Sequence, residues 1–252
     1  MSLTDEELER YARHIVLREI GGAGQVALKA ARVLVVGAGG IGSPALQYLA
    51  AAGIGHLYVV DDDKVELSNL QRQTLFGTED IGADKVGTAV DAMERLNHAI
   101  RPGGFSVRFD ADSAADILDL AKPGVILDGT DNFATRLFVA DLALRHRIPL
   151  VSAAVAEFEG QLGVFRGWEA DKPCYRCFVG HDPEREGVSC AEQGVLGALT
   201  GVMGSLAALE AIRAIVPFGE DSAGKLLLVD ALSLRFRTLT LPKDPGCPSC
   251  AA

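Results

Sequence analysis

Val33-Leu34-Val35-Val36 runs directly into Gly37-Ala38-Gly39-Gly40-Ile41-Gly42, an apolar strand that turns on glycines into the start of a helix. A phosphate reaches the backbone N–H groups at a helix N-terminus only where no Cβ blocks it, and the turn needs dihedrals that glycine adopts cheaply. Gly37, Gly39 and Gly42 have that spacing, and Gly40 is a further candidate in the same turn. His56 to Val60 reads as the next strand, and Asp61 closes it at the position that holds a ribose hydroxyl pair in nucleotide-binding turns. Strand, turn, helix and acid in register predict a nucleotide site. The competing reading is a tight strand–helix turn with no ligand.

Outward from this unit the chain alternates between strand and helix patterns. Strands are predicted at Val33–Val36, His56–Val60, Ser106–Phe109, Val125–Leu127 and Leu150–Ala153. Helices are predicted at Ile41–Ala52, Lys85–Asn97, Ala114–Leu120 and Asn132–Arg145. Right-handed crossovers between such strands give a parallel sheet with helices on both faces. After Ala154 the pattern changes. Gln161–Phe165, Lys225–Val229 and Leu234–Leu239 read as antiparallel strands around a buried helix at Leu196–Ile215. The predicted fold class is therefore α/β: a doubly wound, mostly parallel, Rossmann-like sheet continuing into an antiparallel C-terminal part. A single unit spans 1–252, with a helical arm at 1–24, a nucleotide-binding part at 25–154 and a last part at 155–252. In the arm, Asp5 to Glu19 has helical spacing outside the main core, and Gly21-Gly22-Ala23-Gly24 is read as its end.

The 252 residues, 48% of them hydrophobic and 23% charged, describe an ordered globular chain. A net charge of -10 argues against nucleic acid as a partner, because a polyanion is normally bound by a basic face. Met1 to Arg10 lacks the basic-then-apolar layout of a signal peptide. Gly194 to Leu209 is a long uncharged run, but Glu210 and Arg213 follow at once, so it reads as a core helix and not a membrane span. A cytoplasmic location is expected.

Basic residues nevertheless follow the acid-tipped strand. Ser68-Asn69-Leu70-Gln71-Arg72-Gln73 and Lys85 supply an amide, a guanidinium and an ammonium, and Arg72 and Lys85 can neutralise phosphate oxygens. Leu127-Asp128-Gly129-Thr130-Asp131-Asn132 ends another strand at the same sheet edge, where ligands collect in open α/β sheets. Asp131 is placed to hold Mg²⁺ on phosphates. The alternative for Asp131-Asn132 is capping of the following helix.

Cys174-x-x-Cys177 and Cys247-x-x-Cys250 can each give two thiolates to one tetrahedral ion, and four sulfurs leave no open position, so a structural Zn²⁺ is expected. Redox pairs or unpaired thiols are the alternative. Cys190 is left over in a polar stretch running from Val179 to Glu192; it is either an ordinary free thiol or one near an activated carbonyl. Arg13 is either a solvated helix residue or an arginine reaching another subunit.

Together these residues resemble the MoeB/ThiF family of ubiquitin-activating-like adenylyltransferases, and the molybdopterin-synthase members more than the thiamine-pathway ones. The resemblance runs from Arg10-Tyr11-Ala12-Arg13-His14-Ile15 to Cys250. It includes Pro173 to Cys177, Ser189-Cys190, Gly201 to Leu206 and Pro245 to Cys250. It implies that Gly39 and its neighbours bind ATP, that Asp61 holds the ribose, that Asn69, Arg72 and Lys85 contact phosphates and that Asp131 ligates Mg²⁺. Arg13 would act in trans in a homodimer, and Cys190 matches a cysteine that bonds to the carrier in the thiamine-pathway members. The implied reaction is adenylation of the C-terminal glycine of a small ubiquitin-like sulfur carrier ending in a glycine pair, with release of pyrophosphate. The stretch around Val179–Glu192 would cover the carrier's tail. Two residues follow Cys250, so no rhodanese-like domain is expected after it and a separate protein would donate sulfur.

Three rivals remain at this stage. An NAD-dependent oxidoreductase would use the glycine turn and Asp61 but has no evident need for Arg72. A non-catalytic binding module would not need the full set Arg13, Arg72, Lys85 and Asp131. A tRNA-modifying dehydratase is disfavoured by the negative charge and by the two cysteine pairs.

Overall fold

The computed structural model describes residues 2–180 and 194–251. Eight strands form one sheet in the order β3-β2-β1-β4-β5-β6-β7-β8. The first five are β1 (Arg32–Val36), β2 (His56–Val60), β3 (Arg101–Phe105), β4 (Val125–Asp128) and β5 (Leu150–Ala156), all parallel to their neighbours within this set. β6 (Glu159–Phe165), β7 (Lys225–Asp230) and β8 (Arg235–Thr240) add antiparallel, as the change of pattern after Ala154 predicts.

Burial on both faces explains the continuous apolar strands. Successive residues of β1 point to opposite sides, so Val33 and Val35 join one core while Leu34 and Val36 join the other. The first core packs under α4 (Gly42–Ala52), α5 (Lys85–Leu96) and the long α9 (Gly197–Ile215). The second packs under α6 (Ala114–Ala121), α7 (Phe133–His146) and α8 (Tyr175–Val179). By length and apolarity α9 alone among the described residues resembles a membrane span. It serves instead as a core helix, with Met203, Ala207, Ala208 and Ala211 wholly buried.

Two expectations are corrected here. The third strand is Arg101–Phe105, not Ser106–Phe109. Pro102, Gly103 and Gly104 look like strand breakers. At the sheet edge a proline costs no ladder bond on its open side, and a Cβ on Gly104 would collide with Val86 of α5, so glycine is what lets that helix sit down.

The arm is also more broken, and more firmly tied, than its periodicity suggests. It forms α1 (Asp5–Arg10) and α2 (Ala12–Ile15), and the glycines at 21–24 begin α3 (Gly21–Ala30) instead of ending a helix. Three glycines in four residues lower helix propensity, but Gly24 allows a close approach to Val216 that any Cβ would crowd at 3.0 Å. Tyr11 is buried, and its hydroxyl accepts a 2.8 Å hydrogen bond from Asn97, which also donates to the Ala50 carbonyl. Buried Glu7 pairs with Lys29 at 2.6 Å, and buried Gln25 bridges His14 and the Ala52 carbonyl.

Candidate active site

Strand order reverses between β1 and β4, and the crevice at their carboxyl ends is where open α/β sheets bind ligands. Two turns face each other there. Gly37, at φ +91°, donates its N–H to the Val60 carbonyl at 2.9 Å, and Gly129 donates to Val36 at 3.0 Å. Between them lies a cavity of about 380 Å³.

The glycines divide by function. Gly42 does not line the cavity; a Cβ there would overlap the Gly37 carbonyl oxygen, so this glycine closes the turn onto α4. Gly40 lies against Thr200 of α9, whose Oγ1 would be 3.0 Å from an added Cβ. Gly39 lines the cavity, and a Cβ there would meet no atom of the described residues within 4 Å. Nothing among the described residues requires glycine at 39, whereas a phosphate lying on the turn would.

Asp61 closes β2, as expected. Its Oδ2 accepts the Ala38 N–H at 2.7 Å and its Oδ1 accepts the Asp63 N–H at 2.9 Å. Burial holds its carboxyl above the ordinary aspartate range, while the Lys85 charge and the two N–H donors pull the other way. The carboxylate thus braces the turn and still borders the cavity.

The segment after β2 brings Asn69, Arg72 and Lys85 to the same cavity. Asn69 is buried, and its side-chain oxygen accepts from the Glu66 N–H at 3.3 Å. Arg72 is half-buried and donates one N–H to the Ser68 carbonyl at 2.9 Å. Lys85, the first residue of α5, is buried, and its ammonium donates to Asp63 at 2.8 Å.

At the opposite turn Asp131 and Asn132 differ. Asn132 takes the capping role: its Oδ1 accepts the Thr135 N–H at 2.7 Å. Asp131 is exposed on the cavity and has no side-chain partner among the described residues. Asp128 lies beneath, fully buried, accepting from Thr130 and from the Ser152 hydroxyl.

Among the cavity residues to which the sequence reading assigned no role are Asp63, the partner of Lys85, together with Gln73, Arg136 and Thr200. Arg136, buried at the second turn of α7, donates to the Thr130 carbonyl and so braces the turn carrying Asp131. Its position four residues beyond a helix cap gives no signal of burial, since an arginine there is usually solvated.

Arg13 is not among the residues lining this cavity. It is exposed on α2 with no side-chain partner among the described residues. Cys190 and most of the proposed covering segment lie outside the described residues. The four other cysteines converge. Cys174 and Cys177 are 3.8 Å apart, Cys174 and Cys247 3.6 Å, and Cys177 and Cys250 3.4 Å, sulfur to sulfur. A tetrahedral zinc with Zn–S near 2.3 Å requires sulfurs about 3.8 Å apart. Burial pushes the Cys174 thiol up. For Cys247, burial is outweighed by hydrogen bonds from the Ser249 and Cys250 N–H groups, which hold it below the ordinary thiol value.

The ThiF family model matches residues 11–249. The chain belongs to the ThiF family. ThiF-family relatives align over nearly its whole length. A sulfur carrier protein adenylyltransferase of Thermus thermophilus is 45% identical over 99% of this chain and 93% of the relative. A molybdopterin-synthase adenylyltransferase of Escherichia coli is 44% identical over 98% of each. The solved structure of E. coli MccB with MccA-N7isoASN superposes with a TM-score of 0.83, covering 96% of this chain and 74% of that one; at 23% identity it shows the shared ThiF-type fold.

Proposed function

We propose that this protein adenylates the C-terminal glycine carboxylate of a small ubiquitin-like sulfur-carrier protein and that it serves molybdopterin biosynthesis. The observation that carries the proposal is the convergence of the Gly39 turn, Arg72, Lys85 and Asp131 on one cavity at the switch point. A carboxylate oxygen of the carrier attacks the α-phosphorus of ATP, the bond to the β-phosphate's bridging oxygen breaks, and pyrophosphate leaves with the electron pair. The nucleophile is already ionised, so no general base is needed. The work falls to positioning and to neutralising charge.

In this reading the turn at Gly37 to Gly40 holds phosphates, Asp61 holds the ribose, and Asn69, Arg72 and Lys85 contact phosphate oxygens. Asp131, uncommitted within its own turn, would hold Mg²⁺, which supplies further neutralisation of phosphate charge. Arg13 would complete the site of a second copy in a homodimer. Its outward exposure supports that role, because both sequence neighbours are accounted for: Ala12 has no polar group, and His14 is tied to Gln25. Cys174, Cys177, Cys247 and Cys250 would hold a structural Zn²⁺ that fastens the C-terminal tail beside α8. A separate sulfur donor and a cytoplasmic setting belong to the same proposal.

A second carrier is also supported, because the Thermus thermophilus relative is named for sulfur carriers in general. ATP–pyrophosphate exchange, measured with purified molybdopterin-pathway and thiamine-pathway carriers in turn, tests the proposal. Exchange dependent on the first carrier supports the molybdopterin assignment. Exchange with the second alone moves the enzyme to the thiamine pathway, and exchange with neither sinks the adenylation reading.

A further inference from the structure

Gln73 is 3% exposed and lines the cavity, and its side-chain Oε1 is buried with no hydrogen-bond partner among the described residues. A buried acceptor left unpaired carries a desolvation cost, so this amide calls for a donor from whatever enters the cavity. The cavity is also lined by the donors Arg72, Lys85, Arg108 and Arg136 and by the carboxylates Asp61, Asp62, Asp63 and Asp131.

The location of Gln73 selects the donor. The cavity has two walls. One is built after β2 and β3 from Asp61, Arg108 and Phe109, and the acid places the ribose there. The other is built from Val155 of β5, from Val195, which precedes α9, and from Thr200 of α9. The loop holding Gln73 is tied on one side to α9, which carries Thr200 of the second wall, and on the other side to α4. The Gln71 carbonyl lies so close to Gly197 of α9 that a Cβ there would collide with it, and the Thr74 carbonyl accepts from Gln47 of α4 at 3.3 Å. The ribose hydroxyls of a nucleoside, which donate to a carboxylate, belong at the Asp61 wall. Fully ionised phosphates have no donor to offer. An extended polypeptide tail entering along the second wall presents backbone N–H groups.

We infer that the Gln73 carboxamide accepts a hydrogen bond from the backbone N–H of the carrier's C-terminal glycine and so sets the peptide bond that precedes the reacting carboxylate. The inference deepens the adenylation reading and rests on it. Gln73 selects for a terminal residue that keeps its N–H, and it contributes to carrier recognition, not to nucleotide affinity.

The test uses the full-length enzyme, a molybdopterin-pathway carrier ending in Gly–Gly, and the same carrier semisynthesised with N-methylglycine at its terminus. In ATP–pyrophosphate exchange the wild-type enzyme should lose about five- to ten-fold in kcat/KM on N-methylation, as for one hydrogen bond. Gln73→Met should lose a similar factor on the unmodified carrier, respond little to N-methylation, and bind a non-hydrolysable ATP analogue alone with wild-type affinity. Equal activity of the wild type on both carriers overturns the inference while leaving adenylation intact. Weakened analogue binding by Gln73→Met, with carrier discrimination retained, overturns it in favour of a nucleotide contact. Absence of exchange by the wild-type enzyme with the unmodified carrier defeats the adenylation reading itself, and the inference with it.

Discussion

The Lys85 ammonium lies 2.8 Å from the Asp63 carboxylate, and the two side chains differ sharply in environment: Lys85 is 5% exposed and Asp63 67%. The lysine is fixed at the first turn of α5, whereas its partner is free to swing into solvent. The ammonium therefore has a partner in the nucleotide-free protein, and in the proposed reaction it would turn to phosphate while Asp63 is released to water. An ion pair with one exposed partner contributes about 0–1 kcal/mol, so the exchange of partners costs little.

Asp63→Asn tests this competition. Removing the carboxylate should lower the KM for ATP by up to about five-fold, the equivalent of roughly 1 kcal/mol, with the advantage shrinking as salt screens the pair. Exchange at varied ATP and ionic strength gives the comparison. A raised KM would mean that Asp63 itself serves the nucleotide.

Asp61 should make nucleotide binding pH-dependent. Burial raises its folded-state pKa above the ordinary 3.8. Its contribution to the stability of the nucleotide-free protein is therefore greatest below that value and declines as pH rises through the raised one. Ribose hydroxyls donate to the carboxylate form, so ATP affinity should fall as pH drops through the raised pKa. Titration calorimetry across that range should show the step in the wild type and lose it in Asp61→Asn. A step persisting in the variant would assign the titration to another group.

Asp131 and Asn132 should separate function from stability. Asn132→Ala removes the α7 cap and should lower stability by about 1 kcal/mol, read as a drop in Tm. Asp131→Ala breaks no side-chain bond among the described residues and should leave Tm unchanged while abolishing Mg²⁺-dependent exchange. Wild-type exchange in Asp131→Ala would take this carboxylate out of the site.

Zinc should be present in one equivalent per chain. Cys174→Ser should release it and lower Tm, because the ion would join residues 73 positions apart in sequence. Elemental analysis of the purified variant decides; undiminished zinc would refute a four-thiolate site.

Arg13 should act across subunits. Arg13→Ala and Asp131→Ala enzymes, each inactive alone, should regain part of the exchange activity when mixed and allowed to trade subunits, since one site of each hybrid dimer is intact. No recovery in mixtures shown to contain hybrids would place Arg13 outside the partner's site.

Much of the fold was legible because its signals are local. The strand-to-glycine turn, the patterns of β1, β2, β4 and β5 and the change after Ala154 all concern neighbours in sequence. The misplaced third strand and the missed helix at Gly21–Ala30 share one cause. Both are glycine-rich, and local propensity argues against regular structure in each. What overrides it is close packing against Val86 and Val216, residues that only the folded chain brings near. The basic residues near the turn were legible as types that bind phosphate, and the cysteine pairs as candidate ligands, because spacing alone places two groups on one knuckle.

By itself the sequence determined the kind of chemistry available: a glycine turn, an acid at the next strand's end, cations where an acidic protein has little other need of them, and four thiols in two pairs. Tertiary structure decided the assignments. It gave the helix cap to Asn132 and left Asp131 facing the cavity, tied Lys85 to Asp63, set Arg136 under the Thr130 turn and buried the Gln73 amide without a partner. The physical reason is that a side chain's role depends on which donors and acceptors remain unpaired once the backbone has folded. That accounting is made in three dimensions, between residues the sequence keeps far apart.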